Sequence, residues 1–201
     1  MYASAFVLGF HGCDERVGEK ILSGKEHIRP SDNEYDWLGN GAYFWENSPK
    51  RAWAWAEFIK ANPKWFKTKI ATPFVVGAII DLGFCLDLTD AGSLALVRAS
   101  YDEMKIVFGA AEIPMPKNEK GSARDEDLVK RKLDCAVINY IHAAREARKL
   151  PAFDSVRGAF FEGEPLYEGA GIQAKTHLQI CLCNPKKIHG YFRPRADADV
   201  A

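Results

Sequence analysis

The sequence predicts an α+β fold, on three observations. One strand pattern and several helical patterns come first, and short strand patterns separated by glycine and proline close the chain. That order, rather than a regular alternation, disfavours a doubly wound sheet, and no internal repeat is visible. Finally, 201 residues with 47% hydrophobic and 27% charged content can bury one substantial core. The expected organisation is one domain over residues 1–194, followed by a frayed tail over 195–201.

Ala5 to Phe10 is an apolar run that reads as a buried strand delivering His11-Gly12 at its end. Asp14 then caps a short helix to about Leu22, closed by Ser23-Gly24. Lys25 to Leu38 lacks periodicity and reads as a loop or short strand pair. Gly41 to Glu46 is a short aromatic strand, and Ser48-Pro49 opens a helix that stops before Pro63. Ala52, Trp53, Ala56 and Ile59 lie along one side of it, and Lys60, Lys64, Lys67 and Lys69 follow as a solvated basic stretch. Phe74 to Leu82 reads as a strand, with a short continuation from Phe84 to Leu88. Asp90 caps a helix to about Phe108, and a loop follows from Gly109 to Ala123. From Asp125 to about Lys149, Val129, Leu133, Ala136, Val137, Tyr140 and Ala144 keep the spacing of a buried helical face. Strands over Val156 to Glu162, Thr176 to Cys183 and Lys187 to Phe192 complete the chain.

Lys plus Arg balances Asp plus Glu at 27 each, which argues against a strongly basic nucleic-acid binder. No apolar stretch approaches the roughly 18 residues that span a bilayer, and Met1 to Phe10 lacks the features of an export signal. Five cysteines without scaffold-like spacing indicate reduced thiols and a cytoplasmic protein.

In the strand from Thr176 to Cys183, alternation puts Leu178, Ile180 and Leu182 on a core face. The other face carries His177, Gln179, Cys181 and Cys183, either as a half-exposed polar surface or as part of a cleft. A zinc site from His177 with Cys181 and Cys183 lacks paired spacing, and a nucleophile pair of Cys13 with His11 lacks a supporting motif, so no metal is expected.

Three blocks occur in a telling order: Phe10-His11-Gly12, then Gly39-Asn40-Gly41-Ala42-Tyr43-Phe44 with a helix directly after, then a C-terminal strand through Gln179. Together they resemble the His-Tyr-Glu class of ADP-ribosyltransferases, the diphtheria-toxin-like and poly(ADP-ribose)-polymerase-like branch. The resemblance implies a split β-sheet core with flanking helices that holds NAD+ between the His11 strand and the Tyr43 strand–helix unit. His11 would bond the adenine-side ribose hydroxyl, and the backbone of Gly12 would pair with the nicotinamide carboxamide. Tyr43, flanked by Gly41, would stack on the cationic nicotinamide ring. Arg51 falls near a further contact position on the following helix, and Trp53 or Trp55 near a second aromatic, with packing accounting for at least one tryptophan. Glu164, Tyr167, Glu168 and Gln173, in the loop before the Gln179 strand, would face the acceptor.

Gln179 stands where the family has glutamate. Nicotinamide loss passes through an oxocarbenium-like state that a carboxylate stabilises, and glutamine supplies a hydrogen bond without the charge. Removing one such electrostatic contribution commonly costs about 3 kcal/mol. Three outcomes stay open: Glu162 or Glu164 enters as a substitute carboxylate, the enzyme works slowly or on a good nucleophile, or NAD+ is bound without turnover. The implied activity is mono-ADP-ribosyl transfer from NAD+ to a protein or nucleic-acid acceptor, in the manner of a toxin or defence effector with a cognate antitoxin or regulator. NAD+ glycohydrolase activity and a degenerate NAD+-binding module are the alternatives.

Overall fold

Two long strands carry the architecture. In this computed structural model, which describes residues 2–121 and 127–195, β1 (Tyr2–Asp14) runs antiparallel to β3 (Pro73–Asp87) from Tyr2↔Phe84 to Asp14↔Pro73. On its other edge β1 meets β2 (Ala42–Glu46), which pairs in turn with β5 (His177–Leu182). β5 pairs with β4 (Ser155–Phe160), and β4 runs parallel to the last residues of β3. Because β3 also pairs with β1, these five strands close a circuit, while β6 (Ile188–Phe192) lies antiparallel to β3 at residues 77–80. Helices α1 (Glu15–Leu22), α2 (Pro49–Ala61), α3 (Ala91–Ala110) and α4 (Lys132–Ala147) flank the sheet, so the fold is α+β as expected.

Several boundaries follow local chemistry. Asp14 caps α1 through the Arg16 N–H at 3.1 Å and also accepts from Ala71 and Thr72, tying the helix start to the entry of β3. Asp90 caps α3 through the Ser93 N–H. Ser48 makes no side-chain cap bond, and Pro49 opens α2 as anticipated.

Other boundaries were set by distant residues. β1 does not end at Phe10 but continues to Asp14, because β3 pairs with His11, Gly12 and Cys13 as well. The two strands expected around Gly83 are one, since Gly83 takes φ +57°, a left-handed geometry that glycine adopts without a Cβ penalty. α4 begins at Lys132, well after Asp125, which lies outside the described residues. Val129 instead gives its carbonyl to the Trp37 indole N–H, Lys130 bridges to Glu119, and Asn118 Oδ1 caps α4 by accepting from Leu133 and Asp134. Arg195 is irregular, and the rest of the expected tail lies outside the described residues.

β5 has a core on each face. Ile180 and Leu182 pack with Phe44, Val76 and Ile80, whereas Cys181 packs with Leu38, Val137, Ile138 and Val156 beneath α4. Leu178, expected in the core, is only half-buried. Across the strands, Arg157 donates to both Glu46 oxygens at 2.6 and 3.0 Å and to Asp87 at 3.1 Å, so one guanidinium joins β4, β2 and β3. No helix among the described residues is long and apolar enough to cross a membrane, and all five cysteines are free.

Candidate functional site

The joint between β1 and β2 is short: only Gly9↔Glu46 and Phe10↔Trp45 are in register. In an antiparallel ladder, every second residue turns its N–H and C=O to the same neighbour. Leu8 accepts from the Asn47 N–H at 2.8 Å, so Leu8, Phe10 and Gly12 all turn their backbone groups toward β2. Gly12 with Tyr43 would be the next bonded pair. The ladder stops before it, and His11 Nδ1 takes the Tyr43 carbonyl at 2.8 Å. Gly12, buried beneath α2, thus turns its N–H and C=O to the side of β1 on which the ladder with β2 has stopped.

Since a carbonyl only accepts, His11 carries a proton on Nδ1. Burial holds its pKa below the usual histidine value, against the raising effect of the Tyr43 carbonyl, so the ring is neutral and Nε2 is an acceptor. Tyr43 is held just as firmly. Its hydroxyl donates to Gly39 O at 2.7 Å and accepts from the Leu38 N–H at 2.8 Å, and burial raises its pKa well above the phenol range.

The glycines of both motifs serve packing. A Cβ on Gly12 would sit 2.1 Å from Ala52 O, so the bare residue lets the α2 backbone close on β1. Gly39, at φ +77°, abuts Asn139, and Gly41 abuts Cys181 and Leu182.

On β5, Gln179 lies opposite Trp45 on one side and Gly158 on the other. His177, two residues away on the same face, is buried, and its Nδ1 donates to Lys175 O at 2.6 Å. Burial lowers its pKa, which leaves a neutral ring. Arg51 from α2 reaches Glu162 at 3.0 Å, and the same Glu162 oxygen is 3.9 Å from His177 Nδ1. Glu162 therefore sits on Arg51, two residues beyond the end of β4 and 3.9 Å from the His177 ring nitrogen. Along this set, Trp45 Nε1, Arg51 Nε, His177 Nε2 and Gln179 Oε1 are buried without a hydrogen-bond partner among the described residues. Buried polar groups are ordinarily satisfied, so four together are unusual.

Trp53 packs against Phe10, Trp45 and Val75, whereas Trp55 is 39% exposed and joins Phe58 and Phe66 in an outer aromatic cluster. The segment with Glu164, Tyr167, Glu168 and Gln173 is a small hairpin-like arm, held by the Pro165–Gln173 bridge and the Leu166 N–H to Ile172 O bond. Its side chains Leu166, Tyr167 and Ile172 are exposed, and Gln173 Oε1 is buried and unpartnered.

Sequence reasoning missed Trp37 and Arg131. Trp37 lies against Phe160 and His177, and the Arg131 guanidinium stacks 4.1 Å from the Trp37 ring. Trp37 comes from a segment without periodicity and Arg131 lies off the apolar face of the expected helix from Asp125, so nothing local marks either. They also line a cavity of about 350 Å³ between α3, α4 and the sheet, which none of His11, Tyr43 and Gln179 lines. The two alternatives built on cysteine find no support. Burial pushes the Cys13 thiol up to about 12, and Cys183 faces His142 rather than His177.

No family model matches the chain, and no solved structure matches it. The chain is 26% identical to the uncharacterized protein MJ0359 of Methanocaldococcus jannaschii, over 90% of this chain and 86% of that protein.

Proposed function

We propose that this protein binds NAD+ in the parting of β1 and β2 and transfers its ADP-ribose to a macromolecular acceptor. The observation that carries the reading is the interrupted ladder at Gly12. A carboxamide is a donor and an acceptor side by side, and the Gly12 N–H and C=O offer its complement. The neutral His11 ring, accepting at Nε2, suits a ribose hydroxyl. The unpartnered set adds support: Trp45 and Arg51 donate, while His177 and Gln179 accept. Sugar hydroxyls, each both donor and acceptor, match such a mixed set. The closed circuit of strands, open at one short joint, corresponds in this reading to the split-sheet core of the His-Tyr-Glu class.

Gln179 favours one second reading, a module that binds NAD+ without turnover, because no charge stands opposite Trp45. Glu162 enters as the missing carboxylate only by leaving Arg51.

Labelled NAD+, incubated with the protein with and without cell lysate, tests both readings. Label on macromolecules is expected. Nicotinamide release without label indicates hydrolysis, and binding with neither indicates the module. No NAD+ binding at all, or binding unchanged in His11→Ala, would overturn the site. Gln179→Glu is expected to raise turnover by up to about a hundredfold, the scale of one electrostatic contribution.

A further inference from the structure

Four of the five cysteines are buried, and Cys183, just beyond β5, is half-buried. It lines a cavity of about 240 Å³ together with Asn40, Asn139 and His142. Its Sγ lies 3.7 Å from His142 Nε2 on α4. The walls are held by protein bonds: the Asn40 N–H donates to Asn139 Oδ1 at 3.0 Å, and Asn139 Nδ2 donates to Asn40 Oδ1 at 3.1 Å. The His142 ring is set edge-on to Phe153. A half-buried cysteine at a cavity wall, an imidazole in contact with its sulfur and amide groups around the opening are the parts of a reactive-thiol site.

We propose that Cys183, paired with His142, is a reactive thiolate that exchanges with low-molecular-weight disulfides and becomes reversibly S-thiolated. The thiolate sulfur attacks one sulfur of the incoming disulfide. The Cys183–sulfur bond forms as the original S–S bond breaks, and the departing thiolate carries away the electron pair and takes a proton from solvent. The disulfide is the oxidant, and a thiol in excess reverses the step.

The electrostatic surroundings agree. The neighbouring Cys181 side chain outweighs burial, and His142 adds to the same effect, so the Cys183 thiol titrates below the ordinary range. The other titratable groups facing it are Asp154, before β4, which opposes this, and Cys85 on β3. Burial instead pushes Cys85 and Cys135 up to about 11.

The test is glutathione disulfide added in excess to the full-length protein from pH 5 to 9, read by intact mass and peptide mapping. One adduct is expected, on Cys183, removed by reductant and absent in Cys183→Ser. Its rate at pH 6 should exceed that of an ordinary thiol, of pKa about 8.5, by about tenfold or more. His142→Asn should move the profile up by about a unit and slow the pH 6 reaction about tenfold. An adduct on another cysteine, a midpoint near that of a free thiol, or an unchanged profile in His142→Asn would each overturn the proposal. Mapping on the wild-type protein decides the position even where a variant fails to fold.

Discussion

The same face of β5 runs through two unlike regions only a few residues apart. At the end near His177 and Gln179, buried donors and acceptors lack partners among the described residues, and Arg51 pairs with Glu162. At the end near Cys181 and Cys183, the amides of Asn40 and Asn139 satisfy each other and a thiol meets an imidazole. Unpaired buried groups lower stability, whereas paired ones raise it. The contrast separates a region that leaves buried polar groups unpaired from one in which reciprocal amide bonds hold the Gly39-Asn40-Gly41 turn.

Both regions depend on the frame behind them, so the largest effect comes from breaking it. Arg157→Ala leaves the buried Glu46 carboxylate without its bidentate partner and should destabilise by about 3–5 kcal/mol in urea denaturation. A loss below about 1 kcal/mol would mean that the three strands do not rely on this guanidinium.

Asn139→Leu attacks the satisfied end. Asn40 loses both reciprocal bonds, and because they are exposed about 0.5–1.5 kcal/mol of stability should go with them.

Gln179→Met attacks the unsatisfied end and should move stability the other way, gaining up to about 1 kcal/mol by removing a buried acceptor without a partner. NAD+ affinity should fall in the same variant, which is the usual trade at a functional site. Destabilisation comparable to that of Asn139→Leu would erase the distinction between the two ends.

The smallest effect is a pH dependence. His11 and His177 both have folded pKa values lowered by burial, so the folded protein holds them neutral while an unfolded chain protonates them near pH 6.5. Their contribution is complete above about pH 6.5 and is lost as pH falls toward the folded values. Thermal unfolding from pH 7.5 to 5 should show a falling midpoint, and His177→Gln should flatten the fall. An unaltered slope would assign it to other groups.

Much of this was legible locally. The caps at Asp14 and Asp90, the proline start of α2 and the alternation of Ile180 with Leu182 follow from residue chemistry within a turn or a strand. The motif glycines were legible as positions without being legible as causes. Gly12 is bare because Ala52 O arrives from another element, a fact that no window around Gly12 contains. Trp37, Arg131 and His142 were illegible for the same reason, since each meets its partners across a long stretch of chain.

By itself the sequence determined the order of most helices and strands and several of their caps, because periodicity and capping act over a few residues. It also determined which polar types the His11, Tyr43 and Gln179 segments carry. Only the tertiary structure decided that β1 and β2 part after Phe10, that α4 starts at Lys132 and that Cys183 faces His142. Those outcomes depend on strand register and on distant side chains competing for the same backbone groups, which are settled only when the whole circuit of strands closes.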